Sequence, residues 1–291
     1  MASNRGPIMS LRSEVRCACL GLALIAAATL FGQTASLGSA GGATLQKQYD
    51  AAQELQRVGK LTEAAGQYRS LLAEALADLA IGYALVPDYT HSAPLFDEAL
   101  RLAPNSPALL LDYAGAALTT GDFAHAKTLA NEFIRMYPED RQRLAQAHQL
   151  LGRALLKLNQ DQDARKELET ALVLDPTFAN GYDLAVACLD LDDEKCAVQI
   201  FAEMEHSFGD TAEIHLAFGR AYGDSDFQPR AITEFRKAID ENPRLPGAHY
   251  LLAAVLLATG NELSPLESAE AELKKELVNS PNDAKIGRAH V

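Results

Sequence analysis

The feature that most limits what this chain can fold into is a recurrence. Pro104, Pro138, Pro176, Pro243 and Pro281 are separated by 34, 38, 67 and 38 residues. These intervals describe a unit of 34 residues, lengthened by four in two places and shortened by one across a double step. Proline lacks an amide hydrogen and disfavours helix in the residue before it, so each of these prolines ends a helix. Between them apolar residues recur at three- and four-residue spacing, as in Leu151, Leu155 and Leu158, which is the helical period. Gly59, Gly121, Asn159 and Gly260 stand in mid-unit, where small residues supply a tight turn. Each unit therefore reads as helix, turn, helix.

Within the unit the small and aromatic residues also recur. In the sixth copy Gly219 and Tyr222 lie on the first helix, Ala231, Phe235 and Ala238 on the second, and Pro243 closes it. Phe96, Ala99 and Pro104 in the second copy, Gly152, Ala164, Ala171 and Pro176 in the fourth, and Ala197 and Phe201 in the fifth keep parts of the same pattern. This pattern resembles the tetratricopeptide repeat. The resemblance spans residues 45–284 and implies an all-α fold, a right-handed α-solenoid of about seven repeats at 45–72, 73–106, 107–144, 145–177, 178–211, 212–245 and 246–283. There are departures: Trp is absent throughout, Ser92 replaces a small Ala, and Phe208-Gly209 stands where repeat five should close with proline. Residues 139–142 carry the extra length between repeats three and four, and residues 262–265 that of repeat seven. The second helix of repeat one runs without a breaker toward Leu79 and Tyr83, which predicts one long helix. Where the helices of a hairpin cross closely, a Gly or Ala on one is expected to face an Ala on the other.

In repeats of this kind the first helices line a concave groove, and the resemblance implies that ligand contacts come from there. Its register places Asp78, Asp112, Arg153, Lys157, Tyr182, Asp183, Asp190, Arg220 and Tyr250 on groove positions. Acid, base and aromatic together suit an extended peptide or a partner helix; a merely solvated face would use the same residue types. The paired Lys and Asn with which one branch of the family grips a C-terminal carboxylate are missing.

Ahead of the repeats, Arg5, Arg12 and Arg16 precede an apolar run over residues 17–31 and small residues up to Ala40. This is the pattern of a secretory signal peptide over residues 1–40, cleaved after Ala40, and predicts a periplasmic or secreted protein. The apolar run is short of the roughly 20 residues a spanning helix needs, which disfavours an uncleaved anchor. No membrane span is expected after its removal. Cys17 and Cys19 leave with it, so Cys188 and Cys196 are the thiols of the mature chain. They form either a disulfide, which an oxidising compartment favours, or two buried thiols acting as small hydrophobes.

The 291 residues carry 26 Lys and Arg against 39 Asp and Glu, a net charge of −13. Phosphate neutralisation needs clustered basic residues, so nucleic acid is not an expected partner. Phosphate loop, metal-binding His helix and nucleophile elbow are all absent from the sequence. His91, His125, His148, His206, His215 and His249 are scattered over the repeats without i, i+4 pairing, which argues for structural roles. The stretch Asp190 to Glu194 is a poor calcium loop, lacking the central Gly and distal Glu, and reads as an acidic turn. The expectation is a non-catalytic exported scaffold that binds a protein or peptide, with no enzyme activity, no cofactor, no metal and no catalytic residue. The alternative is a targeting or regulatory repeat domain of a longer enzyme. It is motivated by residues 285–291: the run 286–291 resembles the translation of a sequencing adapter, so this tail is expected to be foreign to the natural chain, a natural frayed tail being the other reading.

Overall fold

The computed structural model describes residues 40–86, 89–259 and 263–280. The expected signal segment apart from Ala40, with Cys17 and Cys19, the turn at Gly260, the closing Pro281 and the 285–291 tail lie outside the described residues. Among the described residues there are helices and no strands. In chain order they are α1 (Ala40–Arg57), α2 (Leu61–Ala84), a 3-10 turn (Tyr89–His91), α3 (Ser92–Leu102), α4 (Pro107–Thr120), α5 (Phe123–Met136), α6 (Arg141–Lys157), α7 (Asp161–Leu174), α8 (Phe178–Asp190), α9 (Glu194–Phe208), α10 (Ala212–Asp224), α11 (Gln228–Glu241), α12 (Ala248–Thr259) and α13 (Leu263–Asn279). The second helix of repeat one runs unbroken from Leu61 to Ala84.

The chain divides into two compact units. The first, Met1–Tyr83 with Thr90–Leu109, holds α1, α2 and α3. Its α1 and α2 are tied by Gln48 Nε2 to Glu74 (2.7 Å) and Tyr68 Oη to Gln56 (3.1 Å). Ser92, where the repeat expects Ala, is buried, and its hydroxyl donates to the Ala80 carbonyl at 2.9 Å. A polar atom thus enters this core with its bond made.

The second unit, Ala84–Tyr89 with Leu110–Val291, is an all-α solenoid of helix-turn-helix repeats. From repeat four on, each first helix packs on its own second helix and on the next first helix, so α6, α8, α10 and α12 lie side by side. Short polar side chains start the helices: Asp122, Asp140, Thr177, Asp193 and Thr211 each accept the backbone N–H three residues on, satisfying a donor that the helix itself leaves unpaired. The turns need a left-handed residue: φ is +79° at Gly59, +85° at Gly121 and 56° at Asn159, and Asp192 and Asp226 fill the same role at 58° and 66°. In repeat five Gly209, with φ +98°, replaces the closing proline as the α9 cap. The four extra residues before repeat four lengthen α6 to 17 residues, against 13 in α8 and α10.

Ala126, Ala164, Ala197, Ala231 and Ala269, one per second helix, are completely buried. The expectation that Gly faces Ala at the crossing holds in part, since a Cβ on Gly152 would come 3.3 Å from the Ala164 carbonyl oxygen and one on Gly223 3.7 Å from the Ala231 side chain, but the nearest neighbours are larger. A Cβ on Gly152 would lie 2.5 Å from Leu168, and one on Gly219 2.5 Å from the Phe235 ring. The glycine makes room for a large side chain one turn beyond the alanine. Phe201, Phe218 and Phe235 then join the repeats into one core, with Phe201 and Phe218 stacked at 4.1 Å between centroids.

Candidate functional site

The first helices of repeats four to six bring several of the expected groove residues together. Gln149, Arg153 and Lys157 are spaced four apart on α6, Tyr182 and Asp183 follow on α8, and Arg220 and Asp224 lie four apart on α10. Gln149 Nε2 donates to Asp183 Oδ2 at 2.8 Å, and Arg153 Nε stands 3.9 Å from the same oxygen. Burial pushes the Asp183 carboxyl above its ordinary range, against the pull of Arg153, the Gln149 bond and Lys157. Its side chain keeps 19% exposure, so it is accessible at the edge of the surface. Burial also pushes the Tyr182 phenol far up, with Asp224 and Asp183 adding to the shift and Arg220 opposing it. Asp190, at the exposed end of α8, accepts from Ser225 Oγ at 2.9 Å. Tyr250 is half-buried on α12 and Asp112 half-buried on α4. Asp78 belongs to the first unit.

Gln149 and Asp224 were missed in the sequence. Each stands one helical turn from an expected groove residue, Arg153 or Arg220, so the i, i+4 stripe was the available signal. The acidic turn of repeat five is engaged by its neighbours: Arg165 reaches Asp193 at 3.1 Å and Arg230 reaches Glu194 at 2.6 Å. Within that hairpin Cys188 and Cys196 are joined as a disulfide, with Cα atoms 5.9 Å apart, inside the range such a bond requires.

The histidines are less scattered than their numbers suggest. His148 pairs with Glu167 at 2.7 Å, His215 with Glu234 at 2.7 Å and His249 with Glu272 at 2.5 Å, each through Nδ1 and each across the two helices of one hairpin. Glu205, Asp210 and His215 present ligand-type atoms within 4.8 Å of one another. His215 already meets Glu234 through Nδ1 and Asp210 through Nε2, at 2.5 Å, so the group is a hydrogen-bonded cluster complete in itself.

Profiles of the tetratricopeptide repeat match residues 88–141, 145–178 and 216–284, together more than half of the chain, which therefore belongs to the tetratricopeptide-repeat family. Among solved structures it is similar to PilW, described as a widely conserved type IV pilus biogenesis factor, at 14% identity and a TM-score of 0.54 over 75% of this chain and 98% of that one. It is also similar to the APC/C hetero-tetramer Cut9-Hcn1, at 17% identity and a TM-score of 0.51 over 84% of this chain and 45% of that one. YrrB, described as a TPR protein with an unusual peptide-binding site, aligns at 17% identity and a TM-score of 0.40 over 67% of this chain and 97% of that one. No curated protein matches the sequence. The fold is that of a repeat scaffold, consistent with protein–protein interaction, and among the described residues no helix is long and apolar enough to cross a membrane.

Proposed function

We propose that the chain is an exported, non-catalytic scaffold that holds an extended protein or peptide segment along its first helices. The observation that carries this reading is the cluster of Arg153, Lys157, Tyr182, Asp183 and Arg220 on α6, α8 and α10. It offers cationic donors, a carboxylate acceptor and an aromatic face to one strand of ligand. The carboxylate and the phenol are half-buried, so a ligand would find them already oriented, which lowers the cost of binding. A random-sequence peptide library displayed on phage, selected against the chain lacking residues 1–40, supplies the probe. Selected peptides should bind Arg153→Glu and Arg220→Glu at least tenfold more weakly than the parent in fluorescence anisotropy. Lys166→Glu, at an exposed position of α7, should bind as the parent does. Equal affinity for all four proteins would remove the groove reading.

Export rests on the basic and apolar N-terminal pattern, and the cysteine geometry is compatible with an oxidising compartment. Edman sequencing of the protein recovered from its own organism should begin at residue 41. Alkylation without reductant should leave Cys188 and Cys196 unmodified; an intact N-terminus or two labelled thiols would contradict export.

A further inference from the structure

Among the described residues, the Lys and Arg that are half-buried rather than exposed are Lys127, Arg165 and Arg220. Lys127 Nζ donates to Gln160 at 2.7 Å, and Arg165 reaches Glu169 at 2.9 Å and Asp193 at 3.1 Å. Arg220 makes no hydrogen bond and no ion pair with a described residue, including Asp224 one turn away. Across the groove it acts electrostatically on the neutral Tyr182 phenol without bonding to it. A guanidinium partly withdrawn from water gives up hydration, and the five N–H donors of Arg220 regain none of it inside the protein.

The corresponding places in the other repeats show where such a charge recurs. Arg220 follows Gly219, and the residues that follow the corresponding Ala114, Gly152, Ala185 and Ala253 are Gly115, Arg153, Val186 and Ala254. Over the neighbouring helices α6, α8 and α10 the row reads Arg, Val, Arg. Arg153 is met by Asp183 Oδ2 at 3.9 Å, an oxygen that already holds the Gln149 amide at 2.8 Å. Lys157, one turn on, makes no ion pair with a described residue. Of the acids on α8, Asp183 is engaged by Gln149, and Asp190 accepts from Ser225 at 2.9 Å. What this surface lacks is negative charge, at two points.

We propose that the segment held along these helices is acidic, with one side-chain carboxylate on Arg220 and a second between Arg153 and Lys157. This rests on the groove reading above and names the class of ligand within it. A guanidinium takes a carboxylate through two parallel N–H bonds, and a place kept partly dry strengthens that pair beyond its value in water. Packed helices lie about 8–10 Å apart, so the two arginines, two helices from one another, are separated by roughly 16–20 Å. An extended strand advances about 3.3 Å per residue and returns to the same face at every second one, which sets the two acids about six residues apart. A chain-terminal carboxylate is not the match, since one terminus cannot serve both points.

The test uses peptides selected from the phage library, synthesised with amidated C-termini so that only side chains carry carboxylates. They should contain two Asp or Glu about six residues apart. Changing either acid to its amide should weaken binding to the parent about tenfold. One of these changes should cost Arg220→Met little, and the other should cost Arg153→Met little. Peptides that depend on the arginines but carry no acids, or whose amide forms lose as much on the arginine variants as on the parent, would overturn this proposal and leave the groove reading standing. Peptides indifferent to both arginines would overturn the groove reading and this proposal with it. Urea unfolding adds a measurement without ligand: Arg220→Met breaks no bond and should unfold at the same urea concentration as the parent or a higher one. A clearly lower midpoint would make Arg220 a structural residue and overturn the proposal.

Discussion

Residues that look alike in the sequence differ in what surrounds them. Gly219 and Gly115 both lie within helices, but a methyl group on Gly219 would meet the Phe235 ring, whereas one on Gly115 meets nothing within 4 Å. Gly115→Ala should therefore stabilise by about 0.5–1 kcal/mol, the helix-propensity difference. Gly219→Ala must displace a fully buried ring and should destabilise by about 1–3 kcal/mol. Thermal unfolding of the two variants reads the opposite signs directly. Asp183 carries a second prediction. Its carboxyl is held above its ordinary range chiefly by burial, so the native state keeps that proton to higher pH than the unfolded chain does. Its contribution therefore declines as pH rises from the ordinary carboxylate value of about 4 toward neutrality. Asp183→Asn should remove this decline from a series of melting temperatures taken between pH 3.5 and 6.

At the scale of the element, the turns hold the information that fixes hairpin order. The prolines and Gly121 were legible because their backbone needs are nearly unique. Asp192 and Asp226 do the same work with φ above 50°, but an aspartate reads equally well as a surface charge, so they were not. Repeat five departs furthest, with Gly209 at its close and a disulfide across its turn. Gly209 has φ +98° and ψ 166°, a region that only glycine enters without strain, and Gly209→Ala should cost about 1–3 kcal/mol. The loop closed by Cys188 and Cys196 has a sequence separation of 8, which in the chain-entropy view stabilises by about 2–3 kcal/mol. Reduction should accelerate amide exchange in α8 and α9 while leaving α4 and α5 unchanged. The His–Glu pairs were within reach, since their constant 19-residue spacing, widened to 23 in repeat seven, follows the repeat. Reading each histidine against its own helix concealed partners that lie on the other one.

At the scale of the whole molecule, the net charge of −13 says little by itself, because the cationic side chains that matter are gathered on two first helices, α6 and α10. The periodicity was sufficient to give the fold class, since a hairpin cannot bury its apolar face alone and must stack on its neighbours. It could not give the site, because groove residues recur at the same register whether they meet a ligand or water. Only the meeting of Gln149, Arg153 and Asp183 across two repeats separates a built surface from a solvated one. The central claim, that this surface receives a partner segment, is tested most directly by placing a photo-crosslinking amino acid at Lys157 or at Lys166 and irradiating the protein in its own organism. The account predicts a discrete crosslinked partner from position 157 and none from position 166; a partner captured only from position 166, or equally from both, would contradict it.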